Sequence, residues 1–297
     1  MNAQAMLDDF LEIVTPKSFH KHLLNSLTAS LQSLLTNGQC SVTAIGRGIE
    51  SDAQERHCIK RADRLLSHTT MQQAVPEFYT AMTGALVKGK QPLILVDWSN
   101  ADKERRHFIL RASLAVEGRA MTLLQMVTTE SDYNCPHLHK AFLTRLKVML
   151  PKRCRPVIVT DAGFKVPWFK EVSALGWHFI GRVRGQVSLR LPDQSEFISV
   201  SKVYKKAKQQ PMVLGEIALG QSQQYACRAV LASKGWKLKK CDKHLPFKEP
   251  WLLVSNLVVN CIFFTTSLQP ALTTCCKSIA PPLSWKVPLQ RIVVMCQ

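Results

Sequence analysis

The stretch 92–98, Pro-Leu-Ile-Leu-Val-Asp-Trp, constrains this chain more than any other. Four consecutive aliphatic residues show no polar alternation, so the segment reads as a strand buried on both faces of a sheet. A carboxylate, Asp97, closes the run. An ionised side chain so far from water needs a partner or a cation to offset its desolvation, which makes Asp97 the first candidate functional residue. A buried or capping carboxylate is the plainer alternative.

The pattern on either side of Asp97 predicts an ordered series of elements. Residues 107–116 and 119–127 are strand-like runs joined at Glu117-Gly118, with the glycine a hairpin commonly needs. Leu138, Phe142, Leu146 and Met149 then follow helical spacing until Pro151 stops the helix. A strand over 156–160 ends in Asp161-Ala162-Gly163, and the next helix has Pro167 in its first turn and Gly176 just past its end. A further strand is expected over 178–184. The order strand, strand, strand, helix, strand, helix, strand is that of a ribonuclease H-like α/β domain, in which the fourth strand lies parallel and adjacent to the first. Asp97 and Asp161 then face one another at neighbouring strand ends. Two converging carboxylates suit magnesium or manganese, and such ions suit in-line phosphodiester cleavage and transfer. For Asp161, a turn residue before Gly163 is the competing explanation.

Charge points to a polyanionic partner. Lys plus Arg outnumber Asp plus Glu by 39 to 21, giving +18. Residues 86–184 hold 17 basic and 8 acidic residues, whereas 1–85 hold 7 and 8, so any DNA-reading face there must be local. That first stretch is helical by its stripes, Leu23, Leu24, Leu27, Leu31, Leu34 and Leu35, then Met71, Ala74, Val75, Phe78 and Met82. Between them, a short helix over 41–48, a loop and a basic helix with Arg56, Lys60, Arg61 and Arg64 fit a helix-turn-helix reader of double-stranded DNA. Plain helical packing explains the same residues equally well. No uncharged run reaches a membrane span, and the scattered cysteines with a start lacking a secretory signal point to a reducing cytoplasm. Cys135, His137 and His139 splay apart at i, i+2 spacing and do not read as a zinc site.

The segments LVDWSN (95–100), LRASLAVEGRAMTLL (110–124) and TDAGFKVPWFKEVSALGW (160–177) together resemble bacterial insertion-sequence transposases. The likeness is to the Asp-Asp-Glu enzymes of insertion-sequence family four, the cut-and-paste group of the tetracycline-resistance transposon, over roughly 15–257. SLTASLQSLL, IKRADRLL, GRVRG and KEPWLLVSNL match in the same order. The resemblance implies that Asp97 and Asp161 are the first two catalytic carboxylates, that helices in 1–85 recognise terminal inverted repeats, and that a β-rich insertion at 185–260 follows the core of 86–184. It implies a magnesium- or manganese-dependent enzyme at transposon ends and target DNA, self-associating or mixing with full-length enzyme, in the nucleoid-containing cytoplasm. Lys165 in the second aspartate motif, Arg182 and Arg184 beside Gly185, and lysines 202, 205, 206, 208, 237, 239 and 240 become candidate phosphate contacts. Trp251 aligns with a tryptophan that stacks on a flipped base; without the resemblance it reads as core.

The family's third carboxylate has no match. It belongs to a Tyr-x-x-Arg-x-x-x-Glu-x-x-x-x-x-x-Lys helix roughly thirty positions beyond the equivalent of Trp251, yet the last acidic residue here is Glu249 and the last tyrosine Tyr225. The stretch 261–297 holds four of ten cysteines and only three charged residues, which suggests a frameshift near 257–265 and a truncated, defective transposase. Two other readings stay open. One is a non-catalytic end-binding protein or inhibitor of transposition; the other is a nuclease that recruits a third carboxylate such as Glu171 or Asp132.

Overall fold

The computed structural model describes residues 3–17, 19–116, 119–208, 212–232 and 250–257. The hairpin tip Glu117-Gly118, lysines 237, 239 and 240, and the whole of 261–297 lie outside the described residues. The chain divides at Val87/Lys88 into two compact units.

The first unit holds five helices: α1 (Ala3–Val14), α2 (Lys21–Asn37), α3 (Val42–Arg47), α4 (Glu55–Ser67) and α5 (Thr69–Leu86). Capping sets the short α3. Ser41 Oγ accepts from Ala44 N at 3.2 Å, and the Gly48 N–H returns to Ala44 O at 3.1 Å. Helix α4 crosses α3 at Gly46, where an added Cβ would stand 2.8 Å from both Ile59 N and Ile59 Cγ1. That approach buries Ile45, Ile49, Cys58 and Ala62 as one cluster. A second cluster joins Leu7, Leu11, Val14, Leu27 and Leu65, with Met71, Phe78 and Met82 packed against it. The expected leucine stripe is narrower than its sequence: Leu35, at 65% exposure, and Val75 face water because the helix drifts past its packed face.

The second unit is built on one ten-stranded sheet. Its first part runs β1 (Leu93–Asn100), β2 (His107–Val116), β3 (Arg119–Thr129), a 3-10 turn at Glu130–Asp132, α6 (Pro136–Met149), β4 (Val157–Thr160), α7 (Val166–Ala174) and β5 (His178–Val183). It continues with β6 (Ser188–Arg190), β7 (Ile198–Ser199), α8 (Val200–Tyr204), β8 (Met212–Leu219), β9 (Tyr225–Ala232) and β10 (Trp251–Ser255). The strand order is β3-β2-β1-β4-β5-β10-β9-β8-β6-β7. Strands β4 and β5 run parallel to β1, whereas β2 is antiparallel to it. Strand β10 pairs antiparallel with β5 and carries the same sheet onward into β9, β8, β6 and β7.

The sheet core explains why β1 shows no alternation in sequence. Leu93 and Leu95 pack with Val157, Val159 and Leu257 on one face, while Ile94 and Val96 are equally buried on the other. Helix α7 begins with Pro167 in its first turn, and the chain then turns back into β5 through Gly176, at φ +72°. No helix among the described residues is long and apolar enough to cross a membrane.

Candidate active site

Register brings the two aspartates together. In the parallel pair β1/β4, Leu95 lies beside Val159 and Val96 beside Thr160, so Asp97 and Asp161 occupy the next positions on adjacent strands. Side chains alternate along a strand, which places Asp97 on the face of Leu93 and Leu95, while Asp161 follows immediately after β4, whose Val157 and Val159 pack on that face. An apolar row on each strand therefore ends in a carboxylate at the same end of the sheet.

Main-chain donors fix one oxygen of each group. Asp97 Oδ1 accepts from Trp98 N at 2.9 Å, and Asp161 Oδ1 accepts from Gly163 N at 2.8 Å. The second bond closes a turn, so the bland role for Asp161 is present, and it also orients the carboxylate. Both aspartates are half-buried.

Tyr133 marks where the two carboxylates converge. Burial, then the charge of Asp161, then that of Asp97, raise its hydroxyl above the ordinary tyrosine range. Its ring packs on Phe108 at 4.4 Å and Trp98 at 4.9 Å. The next residue, Asn134, donates through Nδ2 to Gly163 O at 3.2 Å and ties this loop to the Asp161 turn. Arg111 stands directly across from Asp97 on β2, with its Nε buried and without a hydrogen-bond partner. Sequence reasoning missed both residues. Tyr133 lay in a loop read only as polar, although the cross-strand register of a hairpin would have put Arg111 opposite Asp97.

A wall of aromatic residues stands behind the site. His139 is 4% exposed, with its ring 5.0 Å from Trp168 and 5.4 Å from Phe164. Burial pushes its pKa down to about 4, so the imidazole is neutral near pH 7.

The remaining candidates separate by environment. Lys165, Arg182 and Arg184 lie at the same strand ends as the aspartates, because Thr160 is in register with Gly181. Lys165 and Arg184 are exposed. Arg182 lies over the Trp251 ring at 4.4 Å, and Trp251 is only 1% exposed. In this conformation Trp251 is packed in β10 with Arg182 over its ring. In the helical unit, Arg56, Lys60 and Arg64 are exposed on α4. Arg61 instead turns inward, donating to Ser26 Oγ at 3.1 Å and Asn25 O at 2.9 Å, so it ties α4 to α2. Lysines 202, 205, 206 and 208 are exposed on and after α8.

The donor set fits one hard divalent cation. Two carboxylates, with water and a substrate phosphate completing the shell, are what magnesium commonly takes. Among the described residues no group of three His, Cys, Asp or Glu side chains is placed to hold a metal.

A family model described as the transposase DDE domain matches residues 85–271, more than half of the chain. No curated protein matches it. Among solved structures, an endonuclease V of Ciona intestinalis, in complex with a 23mer DNA containing an inosine followed by a ribo-adenosine, is 11% identical. That match covers 75% of this chain and 97% of the other, with a TM-score of 0.32, too low to carry an argument.

Proposed function

The chain belongs to the transposase DDE domain family, and from that premise we propose that Asp97 and Asp161 hold a divalent cation, magnesium or manganese, against a DNA phosphodiester. The observation that carries this reading is the β1/β4 register, which puts the two carboxylates side by side at the end of one apolar face. We read β3-β2-β1-β4-β5 as a ribonuclease H-like core and the helical unit as the reader of terminal inverted repeats, in a transposase of insertion-sequence family four. Such a protein works at the nucleoid in the bacterial cytoplasm.

A cation bound there lowers the pKa of an attacking water or sugar hydroxyl and offsets charge on the phosphate. The chain's own residues prepare that chemistry. The N–H groups of Trp98 and Gly163 each hold one oxygen of their carboxylate and so fix its direction. The Tyr133 hydroxyl, raised further above its ordinary range by burial and by the charges of Asp161 and Asp97, stays neutral beside them and adds no third negative charge. Lys165, Arg182 and Arg184 supply positive charge at the same strand ends for the DNA backbone.

Complete turnover calls for a third carboxylate, and none of residues 250–297 is acidic. If that group stabilises the transition state by about 4 kcal/mol, its loss slows cleavage roughly a thousandfold. We therefore propose a transposase chain that binds DNA ends and is defective in cutting. This same sequence fact favours the second reading, a non-catalytic inhibitor that occupies ends or joins mixed oligomers. Binding and magnesium-dependent nicking, measured on one set of duplexes with Asp97→Ala as control, test the proposal. Binding with weak nicking that Asp97→Ala abolishes supports a defective enzyme. Binding with no nicking supports the inhibitor, and nicking unchanged by Asp97→Ala refutes the active-site assignment.

A further inference from the structure

A second basic surface lies at the opposite end of the parallel strands. It is a trough of about 1020 Å³ lined by Lys90, Lys147, Lys152, Arg153 and Arg155, with no acidic residue among its lining. Lys90 precedes β1, Arg155 precedes β4 and Trp177 precedes β5, so the trough sits where these strands begin, whereas Asp161 sits where β4 ends. Its floor is firm: Leu150 and Trp177 are buried, and Arg155 N donates to Lys90 O at 2.7 Å, clamping two of the cationic residues side by side.

All five cations are exposed, and none forms an ion pair with a described residue. A role at the carboxyl end of α6 accounts for Lys147, which is in the last turn of that helix. It does not account for Lys90, Lys152, Arg153 or Arg155, which come from other segments and converge on the same trough. Concentrating five like charges without a counter-charge is unfavourable for a folded surface unless an anion offsets it. The lining draws on three strand starts and the 150–155 loop, which suits a repeating polyanion better than a single phosphate.

We propose that this trough binds the phosphodiester backbone of a duplex DNA segment separate from the one at Asp97 and Asp161. The inference does not depend on the cation reading of those aspartates. The test uses the full chain and a fluorescent duplex of random sequence, roughly 30 base pairs long, titrated over a range of salt concentrations. Replacing Lys147, Lys152, Arg153 and Arg155 with glutamine is expected to weaken binding at least tenfold. It also flattens the dependence of log K on log salt by about 3.6, at ~0.9 for each of the four phosphate contacts. A photo-crosslinking residue in place of Val148, 78% exposed beside the trough, is expected to capture the duplex and works even if the quadruple variant fails to fold. An unchanged slope in a folded quadruple variant, or no crosslink from position 148, overturns the proposal. So does polyglutamate displacing the duplex from that crosslink at equal charge concentration, which would assign the trough to an acidic protein segment.

Discussion

Gly46→Ala tests whether the close α3–α4 crossing organises the helical unit. A Cβ at this position would lie 2.8 Å from Ile59 N and Cγ1, and closer still to Ile59 Cα. Two of these three atoms are main chain, so no rotamer change relieves the contact and the helices must separate by about 1 Å to restore ordinary packing. Overpacking against main chain, which no side-chain rotation relieves, falls in the upper part of the usual range, about 2–3 kcal/mol. Better helix propensity for alanine returns about 0.8–1 kcal/mol. The net loss is about 1–2 kcal/mol, a factor of roughly 5–30 in local opening. Hydrogen exchange over peptides spanning 42–67 reads this directly, with peptides from β1 and β4 as the internal control. Faster exchange of that size in 42–67 alone is expected, along with weaker duplex binding because Arg56, Lys60 and Arg64 ride on α4. Unchanged or slower exchange would refute the packing argument.

Other substitutions separate structural from binding roles. Arg61→Ala breaks two hydrogen bonds to α2 and should destabilise the helical unit by about 1–2 kcal/mol without altering the salt dependence of DNA binding. Lys60→Ala should do the reverse, lowering that slope by about 0.9 with an unchanged melting temperature. Trp251→Ala should cost about 3–5 kcal/mol in denaturant unfolding, since it empties a core position; a loss below 1 kcal/mol would contradict the core role. For His139 the unfolded state binds more protons than the folded state between pH 6.5 and about 4, so stability falls as pH drops through that window. The loss is about 3 kcal/mol, and His139→Phe should flatten the pH dependence; an equally steep profile in the variant would mean other groups cause it.

Local patterns carried most of the core. The uninterrupted aliphatic run of β1, the paired runs of β2 and β3, and the proline and glycine signals around α6 and α7 depend on neighbouring residues, so their elements fall within a few positions of those expected. The aspartate pair was legible because alternation and parallel order follow from the same pattern. Long-range pairing was not legible. Nothing near 251–255 indicates that β10 joins β5 and makes one sheet of both halves of the unit. Side-chain direction was equally hidden: Arg61 and Arg64 share one basic helix, yet only Arg61 finds Ser26 and the Asn25 carbonyl within reach. Trp251 and Arg182 are 69 positions apart, so their contact is not visible in either local motif.

The most direct test of the central claim is manganese binding by the full chain, followed by electron paramagnetic resonance, with Asp97→Asn and Asp161→Asn as separate variants. Shared coordination predicts one specific ion per chain, lost to a similar degree in each variant while the fold is retained. Full binding in either single variant would contradict it, because the ion would then not be held between β1 and β4.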